Sequence, residues 1–207
     1  MDQSSMDISE QIERNPIITI QDPERWPLLE GPSQMCGLPI NETDATMIGK
    51  MDALLDVLDD EAAGLAAVQI GYPKQIFLLR QEGKNRAFIN PSIISRSNEL
   101  KKDGEACLSL PGFGAVFKRP KSVTLQYYTL EGSQVIETFN GFWARAVCHE
   151  MDHLNGILIV KHFEKEMSKQ QSRTKFGMLL TPQRRNVIAN RRAHNKRAKS
   201  SRRANRG

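Results

Sequence analysis

Between Thr43 and Asp59 the apolar residues Met47, Ile48, Met51, Leu54, Leu55 and Leu58 recur three and four apart, with Asp and Lys on the opposite face. This is the 3.6-residue period of a helix with one buried side, and it predicts a first helix over that stretch. The pattern then shortens. Gln75–Arg80 is a strand-like run, Glu82-Gly83-Lys84 turns the chain toward Ala87–Asn90, and two β-rich runs, Ser122–Tyr128 and Gln134–Phe139, flank Leu130-Glu-Gly-Ser133 as a hairpin. A second helix is expected from Phe142 to Leu154, stopped by the glycine signal at Asn155-Gly156. Before all of these, Asp22–Asn41 holds prolines at 23, 27, 32 and 39 and glycines at 31 and 37, which predicts a surface loop. Short strands between two helices indicate an α+β fold.

Charge divides the chain of 207 residues into unequal parts. Of its 29 Lys and Arg residues 13 fall at or after Met167, where no acidic residue occurs; the remaining 16 face all 24 Asp and Glu. We therefore expect a folded domain over 1–166 and a basic tail over 167–207, partly helical or disordered, because from Gln183 to Gly207 it has too few apolar residues for a core. Such a tail suits RNA phosphates with strong salt dependence and little sequence preference. No run of 18 apolar residues offers a membrane span. The acidic residues Asp2, Asp7, Glu10 and Glu13 give the N-terminus the wrong sign for a leader, so a cytoplasmic protein is expected. Cys36, Cys107 and Cys148 are too few for a disulfide framework and read as reduced thiols, either core fillers or ligands.

The residues richest in chemistry are His149-Glu150-Met151-Asp152-His153. On a helix, side chains four apart differ by about 40° in azimuth and about 6 Å along the axis, so both imidazoles can reach one metal ion. Glu150 lies beside the pair, where it can take a proton from an activated water. Alone, the motif is also compatible with a charged helix face carrying scattered histidines. A hydrolytic site needs a third protein ligand, and Cys107, in Glu105-Ala-Cys-Leu-Ser109-Leu-Pro111-Gly112, is the candidate. Cys148 points about 100° away from His149 and is not expected to ligate.

These segments resemble the three signature motifs of the peptide deformylases. Ala62-Ala-Gly64-Leu-Ala66-Ala67-Val-Gln69 resembles Gly-x-Gly-x-Ala-Ala-x-Gln, Glu105–Ser109 resembles Glu-Gly-Cys-x-Ser, and His149–His153 resembles His-Glu-x-x-His, in the same order and over residues 16–165. The resemblance implies a fold of short, mostly antiparallel strands around a central metal-binding helix. It implies removal of the formyl group from formyl-Met at the N-terminus of nascent polypeptides, with Fe(II) the favoured metal and Zn(II), Ni(II) or Co(II) as substitutes. Carried over residue by residue, Cys107, His149 and His153 hold the metal, Glu150 is the general base and later proton donor, and Gln69 with the Leu108 N–H steadies the oxyanion. The resemblance also implies a ribosome contact through the basic tail, placing the enzyme where its substrate emerges.

Three positions depart from the family pattern. Ala62 and Ala106 stand where glycine is usual, and Cys148 where glutamine is usual. Alanine costs about 1 kcal/mol or more only if the backbone there needs positive φ. Glu105, Asp152 and Arg119 are candidates for orienting the ligand histidines, against a reading as surface charges. Ala63, Gly64, Gly112 and Ala146 are candidates for the methionine pocket. His162 and His194 are expected to be solvated, and Cys36 a spectator. Two other functions stay open at this point: a general metallopeptidase, and a catalytically degenerate relative that binds ribosome or RNA.

Overall fold

The computed structural model describes residues 16–168. The chain separates into two units, Met1–Phe163 and Glu164–Gly207. Of the second, only residues 164–168 are described, and they are helical. The expectations for the basic tail, for the N-terminus through Asn15 and for His194 lie outside the described residues.

Helix α1 spans Glu42–Leu58. It starts just ahead of the apolar pattern because the Asn41 side chain accepts the Asp44 N–H at 2.8 Å, satisfying one of the donors left open at a helix start. Ile48, Met51 and Leu55 are buried along one face, as the spacing predicts. The strands are β1 Gly64–Ala66, β2 Ile76–Gln81, β3 Lys84–Arg96, β4 Leu100–Ala106, β5 Gly114–Pro120, β6 Ser122–Tyr128 and β7 Gln134–Asn140, followed by helix α2, Gly141–Leu154. All pairings are antiparallel, in a five-stranded sheet ordered β1-β2-β3-β6-β7 and a two-stranded ribbon of β4 and β5. The fold is α+β.

Both expected turns form. Glu82 (φ 51°) and Gly83 (φ 72°) make a two-residue hairpin closed by the Gln81 and Lys84 pair, and Tyr128 pairs with Gln134 across the second turn. Strand β3 runs well past the expected Ala87–Asn90. It pairs with β2 as far as Ile89 and with β6 from there to Arg96, and the handover is an irregularity in register at Asn90 (φ 48°) and Pro91. A proline has no N–H for a ladder, so it ends most strands; at a bulge the missing donor costs nothing. The ribbon escaped the hydrophobic pattern because β4 has no buried apolar residue. The Asp22–Asn41 stretch is irregular apart from one short 3-10 turn, Trp26–Glu30, which buries Leu29.

These elements place α2 at the centre. Phe77, Phe88, Tyr127 and Phe139 from the sheet pack with Ala144, Val147 and Leu154 of α2 in the main core. A second cluster joins Ile48, Met51 and Leu55 of α1 to Leu65, Ile76 and Leu78, and a third seats the ribbon through Ala115 and Phe117 beside Cys107 and Leu110. Helix α2 ends where expected. Gly156 has φ 68°, and a Cβ there would lie 2.5 Å from the Glu30 carbonyl oxygen, so only glycine fits the turn. Among the described residues no helix is long and apolar enough to cross a membrane.

Candidate metal centre and active site

Three elements deliver the chemistry to one place. Helix α2 presents His149 and His153 with ring centroids 4.9 Å apart. The turn that follows β4 brings Cys107, whose Sγ lies 3.3 Å from His153 Nε2. Cys107, His149 and His153 each offer one ligand atom within 4.8 Å of the others, and His153 is almost fully buried. Tetrahedral ligation at about 2.0–2.3 Å requires donor atoms roughly 3.3–3.7 Å apart, so this set fits a divalent ion with little adjustment. One thiolate and two imidazoles suit Zn(II) and Fe(II) alike.

Electrostatics fit the same use. Burial, aided by the positive charges of His149 and Arg119, holds His153 well below the ordinary imidazole range, which keeps it neutral as a ligand must be. Burial also opposes a charge on His149, but hydrogen bonds to Cys107 and Glu105 and the charge of Glu150 outweigh it and raise the imidazole to about 10. A metal would displace that proton.

Glu150 is 4% exposed and its Oε2 has no hydrogen-bond partner among the described residues. Burial pushes its carboxyl up to about 7; His149 works against this, while Glu105 and Asp152 add to it. A carboxyl of that value suits proton transfer near neutrality. Gly64 makes room for it, since a Cβ there would lie 2.8 Å from both Glu150 Oε1 and Leu79 Cδ2.

Gln69 sits in the 3-10 turn Ala67–Ile70 and is 2% exposed. Its Oε1 accepts the Ala66 N–H at 2.9 Å, which orients the amide nitrogen toward Ser109 Oγ at 3.2 Å and, at a longer 4.0 Å, toward Cys107 Sγ. The Leu108 N–H has no partner among the described residues. Both donors line a cavity of about 380 Å³ that also includes Cys107, His149 and Glu150.

Ala63, Gly64 and Ala146 line that cavity too, as expected, but Gly112 does not. Its φ of 77° serves the turn after Pro111, and Pro111 itself reaches the cavity instead. Ala62 has φ −137° and Ala106 is extended in β4, so neither alanine occupies a backbone that required glycine. Cys148 is buried away from the ligand cluster, where burial raises its thiol to about 11. Cys36, likewise buried, is raised to about 11 first by burial and then by Asp44, and lies outside the cluster.

Behind the ligands stands a buried network of charges rather than a charged surface. Glu105 Oε2 meets His149 Nδ1 at 3.1 Å, Arg119 grips Glu105 with two bonds of 2.8 and 2.9 Å, and Arg119 also bonds Asp152 at 2.5 Å. Of the three candidates only Glu105 touches a ligand; His153 Nδ1 has no partner. His162 departs from the expectation of a solvated side chain. It bonds Asp152 at 2.7 Å and stacks on Phe117, because the chain turns back after Gly156 and returns it to the ribbon. Arg145 was missed altogether. Its one signal is a charge inside the apolar run Phe142–Val147, four residues before His149.

The chain resembles known proteins over most of this domain. A family model described as polypeptide deformylase matches residues 7–169. Peptide deformylase of Caulobacter vibrioides is 36% identical over 133 residues, covering 61% of this chain and 77% of that protein. The one from Agrobacterium fabrum is 34% identical over 156 residues, covering 72% and 87%. Among solved structures, peptide deformylase from Thermotoga maritima superposes with a TM-score of 0.64 at 30% identity, over 71% of this chain and 95% of that one. The actinonin-bound class I type b enzyme from Acinetobacter baumannii gives 0.63 at 29%, over 71% and 96%. These matches favour neither the general metallopeptidase nor the non-catalytic reading, and with the family model spanning 163 of 207 residues the chain belongs to the polypeptide deformylase family.

Proposed function

We propose that this chain hydrolyses the formamide of formyl-methionine at the N-terminus of nascent proteins, using Cys107, His149 and His153 to hold a divalent ion. The observation that carries the assignment of residues is the convergence of those three donor atoms within 4.8 Å, with Cys107 and His149 lining a cavity that Glu150, Gln69 and Leu108 also line. When bound, the ion would supply Lewis-acid activation of water and of the formyl carbonyl. The family resemblance favours Fe(II), and the donor set also accepts Zn(II), Ni(II) or Co(II).

The remaining steps fall to the protein. Glu150, with an unpartnered oxygen and a value near 7, takes the proton of the attacking water. The Gln69 N–H on the Cys107 side and that of Leu108 stabilise the negative charge that develops on the carbonyl oxygen, a contribution typically worth about 10²–10³ in rate per donor. Glu150 then returns the proton to the departing amine as the C–N bond breaks, releasing formate and a free methionyl N-terminus. Ala63, Gly64 and Ala146 leave room in the cavity for the methionine side chain.

The acid-free segment that starts at Met167 is proposed to dock on ribosomal RNA, which would place the enzyme in the cytoplasm beside its substrate. A chain cut after Thr181 should then pellet less with ribosomes at low salt than the full chain.

The main test is formate release from a formyl-Met tripeptide by protein purified under low oxygen and loaded in parallel with Fe(II), Ni(II) or Zn(II). Turnover that disappears in Cys107→Ala supports the enzyme and its thiolate ligand together. Cleavage of unformylated peptides would support a general peptidase instead. Absence of turnover in folded, metal-loaded protein would support the non-catalytic relative.

A further inference from the structure

The turn that carries Cys107 closes a two-stranded ribbon, and among the described residues β4 and β5 pair only with each other. Strand β4 buries no apolar side chain, so apolar packing of its own residues cannot set where it lies. At alternate positions of β4, the Lys101 carbonyl accepts from Arg145 Nη2 at 2.9 Å, the Asp103 carbonyl from Nη1 at 3.3 Å, and the Glu105 carboxylate from Nη1 at 2.7 Å. Nη2 also reaches the Phe117 carbonyl of β5 at 3.4 Å. The four terminal hydrogens of one guanidinium thus hold both strands of the ribbon, from a side chain only 8% exposed.

Arg145 stands four residues before His149, on the same face of α2. Glu105 joins the two, with Oε1 bonded to Arg145 and Oε2 facing His149 Nδ1. Cys107 follows two residues later in the chain. Neutralising Glu105 does not require Arg145, because Arg119 already grips both of its oxygens. The other three bonds of Arg145 all go to backbone carbonyls. The role is therefore one of geometry more than of charge.

We propose that Arg145 is a positioning residue that fixes β4 against α2, and so sets the Cys107 thiolate at ligating distance from His149 and His153. The inference rests on the reading of those three residues as metal ligands. A lysine in its place would keep the charge but could not span two carbonyls and a carboxylate as a planar fork does.

The test uses the full chain loaded with Co(II), whose thiolate-to-cobalt charge-transfer absorption reports the bond to Cys107. Arg145→Leu, which keeps a helix-favouring side chain, should weaken that band and speed cobalt release to a chelator by about 10–100-fold, the usual cost of losing support behind a ligand. Arg145→Lys should lose in the same direction despite its charge, and it carries the comparison alone if the leucine variant does not fold. An unchanged band and release rate in Arg145→Leu would overturn the proposal, as would full rescue by lysine. A parent chain that shows no thiolate-to-cobalt band would instead overturn the metal reading itself.

Discussion

Two buried glutamates flank the same imidazole, and their surroundings drive them in opposite directions. Burial penalises the charge on Glu105, but the hydrogen bonds and charges of Arg119 and His149 outweigh it and hold the carboxyl at about 2. Glu150 meets the same burial with an oxygen that has no partner, and rises to about 7. One carboxylate is a fixed anion that braces a ligand; the other can exchange a proton. Environments that push like groups apart in this way separate supporting roles from acid–base roles.

The strongest way to break this contrast is Glu150→Gln. It removes a proton relay without touching a ligand, so formate release should fall about 10²–10⁴-fold while bound metal, measured by atomic emission, stays constant. Gly64→Ala tests the space that Glu150 needs. Its Cβ would displace the carboxylate, and kcat should fall by about 10²-fold, the scale of an ångström-sized misplacement; unchanged turnover would show that Leu79 yields instead.

Glu105→Gln should act on affinity and stability before rate. Metal binding should weaken about 10–100-fold, and denaturant unfolding should show a loss of about 3–5 kcal/mol, because two guanidinium groups lose their shared buried anion.

The smallest effect is in pH, and its sign separates the two groups. In metal-free protein Glu150 is raised when folded, so its effect on stability, taken as the difference between the parent and Glu150→Gln, should turn against the folded state as pH rises from about 4.5 through about 7. Glu105 is lowered, so its stabilisation, taken against Glu105→Gln, should be complete above about 4.5 and be lost as pH falls toward about 2. Urea melts of the three chains across that range would show both trends, and parallel curves would contradict them.

Much of this protein is legible in one dimension. The period of Met47–Leu58 located α1, the Glu82-Gly83 turn located the first hairpin, and the four-residue spacing of His149 and His153 put two imidazoles on one helical face. Each of these is a local property, settled by backbone geometry within a few residues. Strand β3 was only half legible, because Pro91 signals an end unless a bulge absorbs it. The ribbon was not legible, because β4 has no alternation of buried and exposed residues to betray it.

At the site the division follows the same line. Residue types and spacing supplied the ligand candidates and Glu150. Only the fold decided that Glu105 and Arg119 are buried partners rather than surface charges, that Gly112 stays out of the cavity, that His162 returns to Asp152, and that Arg145 clasps β4. Those outcomes depend on partners 10 to 44 residues away in sequence, and on burial that raises one carboxyl and lets its neighbours hold another down. A charge in a sequence carries no sign of its dielectric surroundings; these arise when helix, sheet and ribbon close around it.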